Sequence, residues 1–474
     1  MAKTHHVVST TREVTMKTML KYTGVAIALA GLGTTAALAQ NPTKSIDGRW
    51  DAALVRPNGE TVPFRLDISG SGNNVKGTFY NGFQPFDSTT GGSFANNELT
   101  LNIDHYLTAI HAKLNGDQLA GDVSTQNRAS TAAYQFKATR HVDENVNVSN
   151  VPQIGGAYIL PLETPSSKGE KAFHFIVEQR GAEVAATILR VDGDTGAYTG
   201  TYHDGKWRLS HFDGSRPGVI EVTPQADGTL AVEQNPGSKP SVQKAVAEKT
   251  ASAKAYGEEP PVDSRYTPKL VAYREDVARA KGLPQPENYS THTTVRDQNE
   301  KFAFNFPDVN GKLISEDDPR FKGKVVVAVV TGTWCPNCHD EAQYLVQLDK
   351  KYRDKGLAIV ALDFEEPEQQ SGLEREKAFV KQYGVDYTYL IAGAPAEMWE
   401  KVPQAVNLNT WPATLFIGRD GHVKSVHSGF ASPASGKFND ELKAEFTATI
   451  EKLLAEKPAQ QTASVGIQVI HEGE

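Results

Sequence analysis

The chain has 474 residues, with 49 Lys and Arg against 57 Asp and Glu and a formal charge of −8. That length suggests two to four domains and is enough to bury a full core without staples. The acidic balance gives no electrostatic footprint for nucleic acid or anionic lipid; only two Cys exclude a disulfide scaffold and a four-thiolate zinc site; and a mean hydropathy of −0.43, with no later apolar run long enough to span a bilayer, excludes a multi-pass membrane protein.

Residues 1–39 have the pattern of a secretory signal peptide. Met16-Lys17-Thr18-Met19-Leu20-Lys21 is basic, residues 25–38 are apolar, and Ala37-Leu38-Ala39 offers small residues at the two positions a signal peptidase reads. The alternative is an uncleaved N-terminal membrane anchor; no Cys lies near the cleavage site to take a lipid. Lys3, Arg12, Lys17 and Lys21 against Glu13 make this stretch +3, so its removal leaves −11. The mature chain is expected to be soluble in the periplasm or another extracytoplasmic compartment. An unprotected cysteine pair there forms a disulfide unless something reduces it.

Residues 45–234 have a β texture. Short alternating runs such as Phe64-Arg65-Leu66-Asp67-Ile68 and Leu99-Thr100-Leu101-Asn102-Ile103 recur between turns. Asn58-Gly59, Asn81-Gly82, Asn115-Gly116, Asp204-Gly205 and Asp227-Gly228 are hairpin dipeptides. The pattern predicts antiparallel all-β modules, sandwich or barrel, over residues 45–141 and 152–234, or one larger sandwich. Gly77-Thr78-Phe79-Tyr80-Asn81-Gly82 echoes Gly200-Thr201-Tyr202-His203-Asp204-Gly205, a hint of duplication that good hairpin chemistry also explains. His105, His111, His203 and His211 are scattered singly and are expected as packing or surface residues.

Residues 235–290 shift to Pro, Lys, Ala, Glu and Ser and are predicted as a linker, with a short helix near residues 274–281. Strands and helices alternate over residues 291–456. Lys324-Val325-Val326-Val327-Ala328-Val329-Val330 suits a central strand buried on both faces. A helix is predicted over residues 336–354 with Ala342, Leu345, Val346 and Leu348 on its apolar side. A strand over 357–362, a helix over 373–383, a strand over 387–391, a hairpin over 414–428 and a closing helix over 438–454 follow. Residues 457–474 form a polar tail expected to be disordered.

Trp334-Cys335-Pro336-Asn337-Cys338 lies just past the buried strand and opens the helix. A thiolate there faces unpaired backbone N–H groups and the positive end of the helix dipole. Cysteines in such pairs have pKa values lowered from about 8.5 to roughly 3.5–7.5. Cys335 is therefore expected to attack a disulfide, and Cys338, one turn deeper, to stay protonated and resolve the mixed disulfide. Pro336 suits the first helical turn, where its missing N–H has no partner to lose. A structural staple with so short a loop removes little chain entropy. A metal site needs further ligands, and His339, adjacent on the helix, points elsewhere. No cofactor and no metal are expected.

At these residues the chain resembles the thioredoxin-like superfamily, and within it the TlpA/ResA-like secreted thiol–disulfide oxidoreductases. The resemblance runs through Phe306-Pro307-Asp308-Val309-Asn310-Gly311-Lys312, Phe321-Lys322-Gly323-Lys324-Val325-Val326-Val327, Gly332-Thr333-Trp334-Cys335-Pro336-Asn337-Cys338-His339-Asp340-Glu341 and Trp411-Pro412-Ala413-Thr414-Leu415-Phe416-Ile417. It covers about a third of the chain and implies an α/β thioredoxin-like domain after the β modules. It places Pro412 as the cis-proline facing the pair, where it presents backbone to a substrate strand. Glu341 falls where the family often has a carboxylate that moves protons to or from the second cysteine; the alternative is a solvated helix-face Glu. Trp334 is expected as a packing shield. Val329 stands where the best-known thioredoxins keep a buried Asp, and Trp411 is bulky for the position before the cis-proline.

The resemblance implies an exported reductant of protein disulfides or apocytochrome cysteines, recharged by a membrane electron donor. Two other readings stay open. One is a secreted thiol peroxidase, although the usual Pro-x-x-x-Thr-x-x-Cys arrangement is missing and Thr331 has the wrong spacing. The other is a non-enzymatic binding protein built on the β modules. The expected task of those modules is docking to partners or self-association.

Overall fold

The five Asx-Gly dipeptides each sit between paired antiparallel strands, and they organise the N-terminal half into two successive β units. The computed structural model describes residues 45–456 apart from 128–129, 143–147, 237–268, 368 and 370–371. The predicted signal segment and the predicted C-terminal tail lie outside the described residues.

The first unit is a nine-stranded antiparallel sheet running from Gly48–Val55 to Ser130–Arg140. Its outermost strands, Gln84–Ser88 and Gly91–Ala95, are consecutive in the chain. Thr89 N donates to Gly77 O and Thr90 N to Asn102 O, so the chain bends from one edge of the sheet to the other and curls it towards closure. Alternation sends Trp50, Leu54, Val62, Leu66, Leu101 and Ile110 inward, all with no exposure.

The second unit is a closed eight-stranded antiparallel barrel, from Gly156–Pro161 to Leu270–Arg274. Its last strand falls inside the stretch predicted as linker. Leu270 and Ala272 point into the barrel and Val271 out, but three alternating residues after a long Pro- and Lys-rich segment are a weak strand signal. The strand bridges Leu230–Gln234 to the first strand and so closes the ring. Closure removes the free edges that would otherwise invite pairing with other chains. Helix Glu275–Ala280 follows, as the short helix predicted there.

The third unit is a five-stranded mixed sheet in the order Thr388–Gly393, Leu357–Phe364, Val325–Thr331, Ala413–Ile417, Val423–Ser428. The central strand Val325–Thr331 is buried along its whole length, as its β-branched run requires. It pairs parallel with Leu357–Phe364 and antiparallel with Ala413–Ile417. Helices Pro336–Tyr352, Glu374–Tyr383 and Lys437–Ala455 supply the buried Leu345, Phe379 and Phe446 to one of its apolar cores.

The three units share side chains. Phe212 of the barrel enters the core of the first sheet, 5.0 Å from the Phe64 ring centroid. Leu189 of the barrel packs in a thioredoxin-unit core. Arg65 of the first sheet pairs with Glu183 of the barrel.

Candidate active site

The central strand ends at Thr331, and the next four residues turn the chain into helix Pro336–Tyr352. Cys335 is the residue before the helix, with extended backbone, and Pro336 takes the first helical position. The backbone N–H of Cys338 donates to Cys335 O at 3.0 Å, which sets the two cysteines one turn apart. Both are free thiols in this structure, and both are buried. The Cys335 thiol donates to the carbonyl of Trp411 at 3.4 Å. The bond between Trp411 and Pro412 is cis. Trp334 donates its indole N–H to Phe364 O at 3.0 Å and meets the Trp411 ring edge-on at 5.1 Å. The structure therefore brings Trp334, Cys335, Pro336, Cys338, Trp411 and Pro412 into one place.

Glu341 is not a solvated surface residue. It is 1% exposed and accepts a hydrogen bond from the Thr414 hydroxyl. With Cys338 it lines a narrow space that also touches Val329, Thr331, Tyr387 and Tyr389 and has no room for a water. Burial pushes the Glu341 carboxyl up to about 8, against the bond from Thr414. Burial, then the neighbouring Cys335, pushes Cys338 well above an ordinary thiol. The pair of groups behind the motif thus stores protons at neutral pH. Val329, apolar and 2% exposed, leaves Glu341 as the carboxyl in that space.

Under the loop lies a second set of acids that the sequence did not join. Thr333 donates to Glu365, and Arg375 pairs with both Glu365 and Glu366 while donating to Thr333 at 2.9 Å. Asp363, Glu365 and Glu376 come within 4.8 Å of one another. Burial first, then Glu365, pushes Asp363 well above the carboxylate range and Glu376 to about 7. One Arg cannot neutralise all these carboxylates, so protons do the rest. The run Asp363-Phe364-Glu365-Glu366 at a buried strand end was the available signal.

The scattered histidines divide. His111 lies on the exposed side of a strand, and His203 at a hairpin end is exposed too. His105 and His211 are buried, His105 Nε2 lying 3.0 Å from Asp87 Oδ2 and His211 Nδ1 3.0 Å from Ala197 O. His339 Nε2 lies 2.6 Å from Thr333 O and so carries the proton; Nδ1 accepts from the Tyr383 hydroxyl at 2.9 Å. Asp87 Oδ2 is 3.3 Å from that hydroxyl and 3.0 Å from His105 Nε2. Burial, then His105 beside it, pushes His339 down to about 3, so its ring is neutral. The first sheet thereby packs against the active-site helix: the Tyr106 ring stacks on His339 with centroids 4.3 Å apart, and Asp87 and His339 share the one proton of the Tyr383 hydroxyl. The barrel reaches it directly: Asn337 Nδ2 donates to Asp192 O at 2.6 Å, and Thr195 N donates to Asn337 Oδ1 at 2.8 Å.

A mixed five-stranded sheet, a cysteine pair opening the helix after its central strand and a cis-proline turn against the first sulfur define a thioredoxin-like domain, and this one is of the TlpA/ResA-like kind. Residues 298–426 match the AhpC/TSA family. The thiol-disulfide oxidoreductase ResA of Bacillus anthracis is 34% identical over 116 residues, covering 24% of this chain and 60% of that protein. ResA of Bacillus subtilis (strain 168) is 30% identical over 126 residues, 27% of this chain and 64% of that protein. The chain thus spans about 60% of the length of these relatives. A putative thiol:disulfide interchange protein DsbE from Chlorobium tepidum aligns at 21% identity over 32% of this chain and 98% of its own, with a TM-score of 0.26.

Proposed function

We propose that this chain is an exported thiol–disulfide oxidoreductase that works through Cys335 and Cys338. The observation that carries the reading is a thiol at a helix N-terminus against the cis-proline turn, with a protonated thiol one turn behind it and a proton-holding carboxyl beside that. The relatives named thiol-disulfide oxidoreductase align across this same region. In the reduced protein the Cys335 thiolate attacks a substrate disulfide. The substrate S–S bond breaks, a Cys335–substrate disulfide forms, and one substrate thiolate leaves. Cys338 gives up its proton and attacks Cys335, releasing the second substrate thiolate and closing the Cys335–Cys338 disulfide. Two electrons pass to the substrate.

Glu341 takes or returns the Cys338 proton. Trp411 offers its carbonyl to the first sulfur, Trp334 shields the pair and Pro336 starts the helix. The substrates are protein disulfides or apocytochrome cysteines, and a membrane electron donor recharges the pair. Export rests on the pattern of residues 1–39; among the described residues no helix is long and apolar enough to cross a membrane. The β units serve first to dock on the thioredoxin unit and are also the surface available for self-association.

Insulin reduction by the intact chain with dithiothreitol as donor tests the reading. Wild type is expected to accelerate it, and Cys335→Ser to abolish the acceleration; equal rates would favour the binding-protein alternative. The reduction potential of the pair sets direction: a value near about −270 mV means a reductant, and one near about −120 mV an oxidant.

A further inference from the structure

Cys335 is 3% exposed, although disulfide exchange requires a second sulfur to approach it. The barrel touches the motif on both sides of that cysteine. Arg216 Nη2 lies 3.4 Å from Trp334 O on one side. On the other, residues 192–195 bond Asn337 through Asp192 O and Thr195 N.

The loop is built to sit there. Gly193 forms a parallel bridge with Phe430, in the segment following strand Val423–Ser428. A side chain at Gly193 would place its Cβ 2.4 Å from Phe430 O and 2.6 Å from Asn337 Cγ, and its φ of +117° suits glycine alone. Asp194, 1% exposed, accepts from Ser432 N at 2.9 Å and from the Ser435 hydroxyl, which pins the loop to residues 432–435. Gly429 gives the matching clearance, since a Cβ there would lie 2.3 Å from Val191 O.

The seat is not sealed behind the loop. A cavity of about 90 Å³ beside the loop is lined by Leu189, Arg190, Gly193, Tyr289, His427 and Phe430. The loop is thus held by a short set of polar contacts, at Asp194 and at Asn337, beside an unfilled space.

We propose that residues 192–195 are a specificity gate: the loop occupies the backbone strip at Phe430 while bonded to Asn337, two residues past Cys335, and an extended polypeptide disulfide reaches the Cys335 sulfur only by taking the loop's place. The bridge at Phe430 is a main-chain pairing, so an extended segment can replace it one for one, whereas a folded protein surface cannot enter while the loop is seated. This proposal rests on the exchange reading, and the test separates the two.

Reduced full-length protein is labelled with iodoacetamide and, in parallel, with a bulky polyethylene glycol maleimide, and Cys335 adducts are followed by peptide mass spectrometry. Rates are compared with the urea-unfolded chain. Wild-type Cys335 is expected to react at least about ten-fold more slowly than in the unfolded chain, with the bulky reagent disfavoured further. Gly193→Val and Asp194→Ala, which unseat the loop from two different contacts, are expected to recover about ten-fold in labelling and to raise insulin reduction in parallel. Wild-type labelling as fast as in the unfolded chain overturns the gate without needing any variant to fold. Native-like variants with unchanged labelling overturn it too. Labelling that rises while no form reduces insulin supports the gate and contradicts the exchange reading.

Discussion

Glu341 holds its proton up to about pH 8 because burial disfavours its charged form. Below that pH it can donate to Cys338 as the oxidised pair is reduced; above it, the carboxylate can accept the Cys338 proton as a mixed disulfide is resolved. The rate of resolution is therefore expected to rise through an inflection near pH 8. In Glu341→Gln the inflection should vanish and the rate at high pH should fall by about ten-fold or more. Stopped-flow tryptophan fluorescence would follow this step, and an unchanged profile in the variant would remove Glu341 from the chemistry. The family resemblance points to Glu341, one helical turn past Cys338, but leaves open whether it is buried or solvated. The place of Asn337 was not legible, since its partner Thr195 lies 142 residues away in sequence.

At the scale of elements, the shared core makes a local change costly for two units at once. Phe212 leaves the barrel to pack among Phe64 and Phe79, with ring centroids 5.0 and 6.0 Å away. Phe212→Ala is expected to cost about 3–5 kcal/mol in urea unfolding. A loss under about 1 kcal/mol would mean the contact is loose. Turn chemistry and β-branched runs made most strands legible: Asn58-Gly59 and Asp227-Gly228 mark real hairpins, and residues 325–330 fall on the central strand. Strand Leu270–Arg274 escaped because ring closure, not its own composition, determines its pairing. The link from Asp87 and His105 to His339 escaped for a similar reason: it exists only once the first sheet meets the active-site helix.

For the whole molecule, buried acids set the pH at which it is most stable. Glu341 is raised to about 8 and Glu170 and Glu376 to about 7, all chiefly by burial; burial also raises Asp340 and Asp363. A carboxyl raised in the folded state is still protonated where the unfolded chain has ionised, so its contribution is present at low pH and is lost as pH rises through the folded value. His174 and His339, lowered by burial to about 4 and about 3, act oppositely: their contribution is lost as pH falls below the unfolded value near 6.5. The melting temperature is therefore expected to peak on the acid side of neutrality and to decline from about pH 7 to pH 9; a Tm that climbs across that interval would contradict these burial effects. The exchange chemistry is tested most directly by trapping its intermediate. Reduced Cys338→Ser, incubated with a disulfide-bonded peptide and examined by intact mass and peptide mapping, is expected to accumulate a mixed disulfide on Cys335. Absence of that adduct, or an adduct on Cys338 in the reciprocal Cys335→Ser protein, would contradict the assignment of Cys335 as the attacking thiol.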